Sequence, residues 1–324
     1  MIGESNPLSR RDFMVKVSTV AASSLPVGAG LSRFSEAVPT LKSAAESIVQ
    51  SLYNSLTEPQ KSVLLLPWSD SRRTRINANW KVTEPGIGSD FYTNEQRHLI
   101  DQILRSVTSP DGYERLIRQM KEDWGGIGRY AMAIFQDPGS DKFLWEMTGR
   151  HLTLRADGNS LSNTAFGGPI VYGHGAGDSQ VGLPGNVYYY QLEKANQVFQ
   201  ALDGKQRQKA LLAKAPLETE VPIQGPGASF SGIAASELSP DQRKLVEETM
   251  QVLLAPFREE DVKETMSLLK AGGGLDKLHL AFYQSANLGD DQEWEIWRLE
   301  APTLVWHFRG SPHVHTYVNI GKKA

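Results

Sequence analysis

The chain has 324 residues, with 34 basic against 37 acidic side chains, seven histidines and no cysteine. The near-neutral balance supplies no basic field for a phosphate backbone, which argues against a nucleic-acid partner. The lack of cysteine excludes disulfides, thiolate nucleophiles, iron–sulfur clusters and cysteine-ligated zinc, so any metal must be held by histidine, carboxylate or backbone oxygen.

The chain opens with Ser9-Arg10-Arg11-Asp12-Phe13-Met14 and a run from Met14 to Leu31 rich in Ala, Val, Ser and Gly. Paired arginines before a modest apolar run read as a twin-arginine export signal, and the run is too weakly apolar to span a membrane. This assigns residues 1–37 to a signal region and 38–324 to a single α+β domain. It also implies a periplasmic or otherwise exported location, with the twin-arginine translocation machinery as a partner. That route carries folded proteins, and loading of a metal or cofactor before export is a frequent reason to use it.

Apolar residues at helical spacing predict a helix from Leu41 to Leu56, which Thr57-Glu58-Pro59-Gln60 punctuates. Two more helices are expected over Thr93–Val107 and Ser109–Asp123, the second started by a Ser-Pro cap. Arg129–Gln136 and Lys142–Ala156 read as two strands around an Asp137-Pro138-Gly139 turn, a β-hairpin. A glycine-dense loop follows from Ser160 to Pro184, enclosing the short apolar run Pro169–Tyr172.

Helices resume over Tyr190–Leu202 and Lys205–Ala213, and after a capping box at Ser239-Pro240-Asp241-Gln242 they continue to Leu254 and from Arg258 to Lys270. Gly272-Gly273-Gly274 ends them. Strands are expected over Leu278–Gln284, Trp294–Leu299, Thr303–Phe308 and His313–Ile320. The fold class is therefore α+β, with an antiparallel sheet of central and C-terminal strands packed by several helices. No internal repeat is evident.

Four of the seven histidines fall in the last fifth of the chain: His279, His307, His313 and His315. In a strand, residues two apart share a face, so both rings of His313-Val314-His315 can reach one ion. A third ligand is expected from His151, read within a strand Trp145–Arg155, with His174 between Gly173 and Gly175 as the next candidate. Glu146 and Arg150 are the candidates for catalytic work, and Arg150, Arg155 and Arg309 for holding a carboxylate or phosphate of a substrate. His279 and His307 alternate with apolar neighbours and fit half-buried structural roles, whereas His98 fits a solvated helix face.

Such a site would take zinc or copper more readily than iron or manganese. It would serve a metal-dependent hydrolase or oxidoreductase acting on an unidentified small molecule, or a non-enzymatic metal- or ligand-binding protein. A serine hydrolase is disfavoured, because His174-Gly175-Ala176-Gly177 has no accompanying Gly-x-Ser-x-Gly elbow.

Four segments carry a resemblance: Trp145–Leu152, Ala165–Pro169, Trp297–Pro302 and His313–His315. In this order they resemble the bacterial domain of unknown function family 3500, over roughly Leu41 to Ile320. The resemblance implies a shared fold and a recurring set of histidines, with a second histidine where this chain has Arg150. It implies no reaction.

Overall fold

Helix starts in this chain are written by side chains that satisfy the first free backbone N–H groups. Thr57, Thr93, Asp203 and Ser239 each open a capping box closed by a glutamine three residues on. A computed structural model describes residues 38–175, 185–289 and 291–323 of the protein. The twin-arginine stretch and Ala176–Gly177 lie outside these residues.

Among the described residues there are eight helices: α1 (Ala44–Ser55), α2 (Glu58–Leu64), α3 (Asn94–Val107), α4 (Pro110–Trp124), α5 (Tyr189–Ala201), α6 (Gly204–Ala210), α7 (Pro240–Leu254) and α8 (Glu259–Ala271). There are eleven strands: β1 (Leu65–Leu66), β2 (Ala131–Phe135), β3 (Leu144–Gly149), β4 (Leu152–Ala156), β5 (Ile170–His174), β6 (Leu211–Leu212), β7 (Ile233–Ala234), β8 (His279–Tyr283), β9 (Ile296–Ala301), β10 (Leu304–Arg309) and β11 (Val314–Ile320). The α+β class holds, and no helix of the described residues is long and apolar enough to cross a membrane.

Two expectations about the sheet are corrected. The sheet is mixed, because the two-residue strands β1 and β6 follow short helices directly and run parallel to β2 and β8 at its edges. Lys142–Ala156 is two strands, and Arg150-His151 is the turn between them, since Gly149 pairs with Leu152. His151 is thus a turn residue with φ of +56°, and the strand expected through it is broken there.

The expectation of no internal repeat is also overturned. The sheet order is β1-β2-β3-β4-β5-β11-β10-β9-β8-β6, which reads the same way from either edge, with the midline between antiparallel β5 and β11. Each half follows one recipe: long helix, seven-residue helix, two-residue edge strand, helix pair, then four strands, with β7, which pairs with β8 off the main order, added in the second half alone. The Gln60–Gln96 amide pair, 36 residues apart, has its counterpart in Gln206–Gln242, also 36 apart. In each pair the second glutamine also donates to the last turn of the long helix, at Ser55 O in one half and Ala201 O in the other. At the midline the halves exchange equivalent backbone bonds, Ser109 N–H to Pro256 O and Arg258 N–H to Val107 O.

Strand residues alternate between two environments. Trp145, Met147, Trp297, Leu299, Trp306, Phe308 and Val314 join the main core with the buried faces of the helices. The opposite face carries Glu146, Arg155, Arg298, His307, Arg309 and His315. Two irregular segments, 67–82 with its single 3-10 turn Ser71–Thr74 and 213–228, help to cover it. Backbone carbonyls of Arg73 and Arg75 accept from Arg155, and those of Leu217 and Glu220 accept from Arg298. Polar side chains on a sheet face can be buried here because the irregular chain above them supplies acceptors.

Candidate metal centre

His313 and His315 reach the centre by simple strand alternation. Val314 turns into the main core, and the two rings on either side of it place their Nε2 atoms 3.0 Å apart. His151 arrives from the first half of the chain, on the β3–β4 turn. Three contacts fix that turn: His151 N–H donates to Ala78 O, and the Arg150 carbonyl accepts from Tyr130 Oη at 2.9 Å and from Gln119 Nε2 at 3.2 Å. Gly149 is required just before it, because any Cβ there would collide with the Tyr130 ring. A histidine in the left-handed region costs about 1 kcal/mol or more and is kept where the surroundings over-determine it.

The three imidazoles form a nearly equilateral triangle, with ring centroids 4.7, 4.8 and 4.9 Å apart. One ligand atom from each lies within 4.8 Å of the others. Tetrahedral zinc–histidine bonds place nitrogens about 3.4 Å apart, so the rings need only side-chain rotation to close on an ion. Gly175 closes one flank: a Cβ there would sit 2.5 Å from His151 Cε1 and 3.2 Å from His313 Cδ2.

Two carboxylates stand behind the triangle, Asp123 buried and Glu218 half-buried. Asp123 Oδ2 lies 2.7 Å from His151 Nδ1, and Glu218 Oε1 lies 3.1 Å from His315 Nδ1. Each pairing favours a proton on Nδ1, which leaves the Nε2 lone pair for the centre. Burial works against the Asp123 charge, but bonds from His151, Gln119 Nε2 and Gly175 N–H together hold its carboxyl below the usual range. Glu218 is likewise held down to about 2, against burial, by His315, Arg309 and the Tyr317 hydroxyl. Burial, the two neighbouring histidines and Arg309 and Arg150 push His313 down to about 4, and burial above all lowers His315. These rings are neutral at neutral pH, the state in which imidazole binds a metal.

The other candidates lie elsewhere. Glu146 sits on β3 as the buried partner of Arg155, Oε2 to Nε 2.6 Å, and burial raises it to about 7. His174 accepts from Val187 N–H at Nδ1, and its Nε2 stands 3.0 Å from Glu122 Oε2 without hydrogen-bond alignment. It therefore borders the triangle without belonging to it. Arg150 is on the turn beside His151, and Arg309 stands against Glu218 with Nε 3.1 Å from Oε2. His307 is a buried structural residue that accepts from Arg298 Nε at 3.2 Å, and His98 is exposed on α3.

Asp123 and Glu218 escape a sequence reading. Asp123 does leave one trace, an acidic residue in the last turn of a helix, where the macrodipole disfavours it. Glu218 leaves none, because the segment carrying it has no periodic pattern.

A duplicated α+β sheet with a three-histidine centre across its midline defines a class of histidine-cluster protein whose halves meet at the site. The sequence profile described as Protein of unknown function (DUF3500) matches residues 39–320, and the chain belongs to that family. No curated protein and no solved structure matches it.

Proposed function

We propose that His151, His313 and His315 hold a single zinc or copper ion in a catalytic-type site, and that the protein is an exported metal-dependent hydrolase. The observation that carries this reading is the double carboxylate backing: two of three converging imidazoles have Nδ1 paired with a carboxylate, the buried Asp123 and the half-buried Glu218, the arrangement that orients metal-ligating histidines. Three protein ligands leave a further coordination position for substrate or water. When bound, zinc supplies Lewis acidity and a nucleophile at neutral pH.

The chain's own groups do the rest. Asp123 and Glu218 hold the tautomers, Gly175 sets the rings' approach on one side, and the strained turn keeps His151 from swinging away. The twin-arginine stretch supports loading in the cytoplasm before export, because a site assembled from both halves exists only in the folded chain. The test is metal binding by competition with a chromogenic chelator, followed by an ester and phosphoester hydrolysis screen with zinc-loaded, metal-free and His151→Ala protein. Tight one-to-one binding with activity confined to the loaded wild type supports the reading. Binding without any turnover leaves the non-enzymatic metal-binding alternative, and no binding rejects both.

A further inference from the structure

The two outer ends of the sheet's polar face are equivalent in the duplicated frame and chemically opposite. In the second half Ala281, Tyr283 and Ile296 are covered by Leu212 and Ala215. In the first half the corresponding Ala133, Phe135 and Leu144 are covered by Leu66, Val82 and two indoles, with Trp80 buried in the cluster and Trp68 half-buried upon it. The covering segments differ in the same sense. Residues 213–228 hold one lysine, two glutamates and no aromatic ring, whereas residues 67–82 hold three arginines, one lysine, one aspartate and both tryptophans. The second half closes this edge without a ring, so folding alone does not call for the indoles and their cations.

Those cations lie against the indoles and not against carboxylates. The Arg73 guanidinium stands 4.3 Å from the centre of the Trp68 ring, the Lys142 ammonium stands 5.1 Å from the same ring, and Arg75 stands 4.9 Å from Trp80. Stacking of this kind orders a charged head while leaving its charge in place. Arg73 is tethered further through Nε, which donates to Trp68 O at 2.8 Å. Beneath them Arg155, held by Glu146, donates to the carbonyls of Arg73 and Arg75 and so fixes the backbone that carries both. Arg72 is neutralised by two bonds to Asp70. Among the described residues Arg73, Arg75 and Lys142 make no ion pair; Arg75 is exposed and the other two are half-buried.

We propose that this edge, centred on Trp68, Arg73, Arg75 and Lys142, docks the protein on a membrane surface rich in anionic phospholipid. Cations without carboxylate partners, held around one cluster, meet the phosphates of such a surface, and indoles are favoured at headgroup depth. The whole chain, with 34 basic against 37 acidic side chains, exerts no such attraction, so the binding belongs to this edge. A nucleic acid would need a longer basic field than three unpaired cations provide.

Because the chain has no cysteine, Ser69→Cys supplies a single thiol beside Trp68, and Thr219→Cys supplies one on the equivalent segment of the other half. Each full-length protein carries an environment-sensitive dye on its thiol, which separates this edge from any attachment through residues 1–37. Titrations use vesicles of phosphatidylglycerol and phosphatidylcholine in equal parts, vesicles of phosphatidylcholine alone, and inorganic polyphosphate. The Ser69→Cys dye should shift to the blue, saturably, with the anionic vesicles alone and return when salt is raised, while the Thr219→Cys dye stays unchanged. Each cation removed from the Ser69→Cys protein should weaken binding about fivefold. That is about fivefold for Lys142→Gln and about 100-fold for Arg73→Gln/Arg75→Gln/Lys142→Gln, with circular dichroism to establish folding. Lys142→Gln leaves Arg73 and Arg75 in place, so it reads the patch even where the triple variant does not fold. An unshifted Ser69→Cys dye, equal shifts at both sites, or charge variants that bind like their parent overturn the proposal. A response to polyphosphate without one to vesicles also overturns it and assigns the edge to a soluble polyanion.

Discussion

The two hairpin turns at equivalent places in the two halves, Arg150-His151 and Pro302-Thr303, show what function has done to a duplicated frame. Their flanking strands match residue for residue in register: Trp145 pairs with Ala156 and Gly149 with Leu152, as Trp297 pairs with Phe308 and Ala301 with Leu304. In the second half the turn is closed by ordinary structural bonds, Thr303 Oγ1 to Leu268 O at 3.0 Å and Gly321 N–H to Thr303 O at 2.9 Å. In the first half the turn holds a left-handed histidine backed by a carboxylate at a helix end that disfavours negative charge. One turn meets only the needs of folding, and the other departs from them in several ways at once. Such local conflicts concentrate at functional sites.

The comparison breaks most completely if Gly175 is enlarged. Gly175→Ala places a methyl against His151, and the account expects metal affinity to fall by about 100-fold, the scale of an ångström's misplacement in a preorganised site, as read by chelator competition. Asp123→Asn keeps the shape but removes the charge behind His151. Affinity should fall between about tenfold and 100-fold, with near-unchanged circular dichroism. The control is the other turn: Thr303→Ala removes one buried hydroxyl bond and should cost about 1 kcal/mol in urea unfolding while metal affinity stays as in the wild type.

The smallest effect sharpens a second asymmetry, at the midline. The helix caps there are Ser109 in one half and Arg258 in the other, and the Arg258 guanidinium is buried against Glu46 and Asp261. One arginine faces four carboxylates. Burial and its acidic neighbours raise Glu264 to about 8, Asp261 to about 7 and Asp157 to about 6. A carboxyl whose pKa is higher folded than unfolded stabilises the fold below its unfolded value and loses that contribution as pH rises through the folded one. Glu264 should therefore lose its contribution to stability from about pH 4.5 to about pH 8, its unfolded and folded values, so the melting temperature of the wild type should fall relative to that of Glu264→Gln as pH rises over this range.

Period and punctuation explain what was legible in the sequence. His313-Val314-His315 was readable because alternation in a strand is a local rule, and the capping box at Ser239 and the Ser-Pro cap before α4 are local rules too. His151 groups with His313 and His315 as the sequence suggests, but on a turn and not in a strand. Lys142–Ala156 carries no strong turn signal near Arg150, and the turn is imposed by Tyr130, Gln119 and Ala78, which are distant in sequence. The Thr57–Gln60 box was read as a break when it starts α2. With that helix missing, the matching 36-residue interval of glutamines in the two halves went unseen, and the duplication with it. Asp123 and Glu218 were beyond reach, because their pairing to the histidines depends on how α4 and the segment 213–228 lie against the sheet.

The central claim is that the three imidazoles exist to hold one ion. Elemental analysis of protein purified from the exported fraction, beside a His313→Ala/His315→Ala double variant, tests it most directly. The account predicts about one equivalent of zinc or copper in the wild type and none in the variant. A metal-free wild type that stays metal-free after reconstitution with both ions, or a variant that retains the ion, would contradict it.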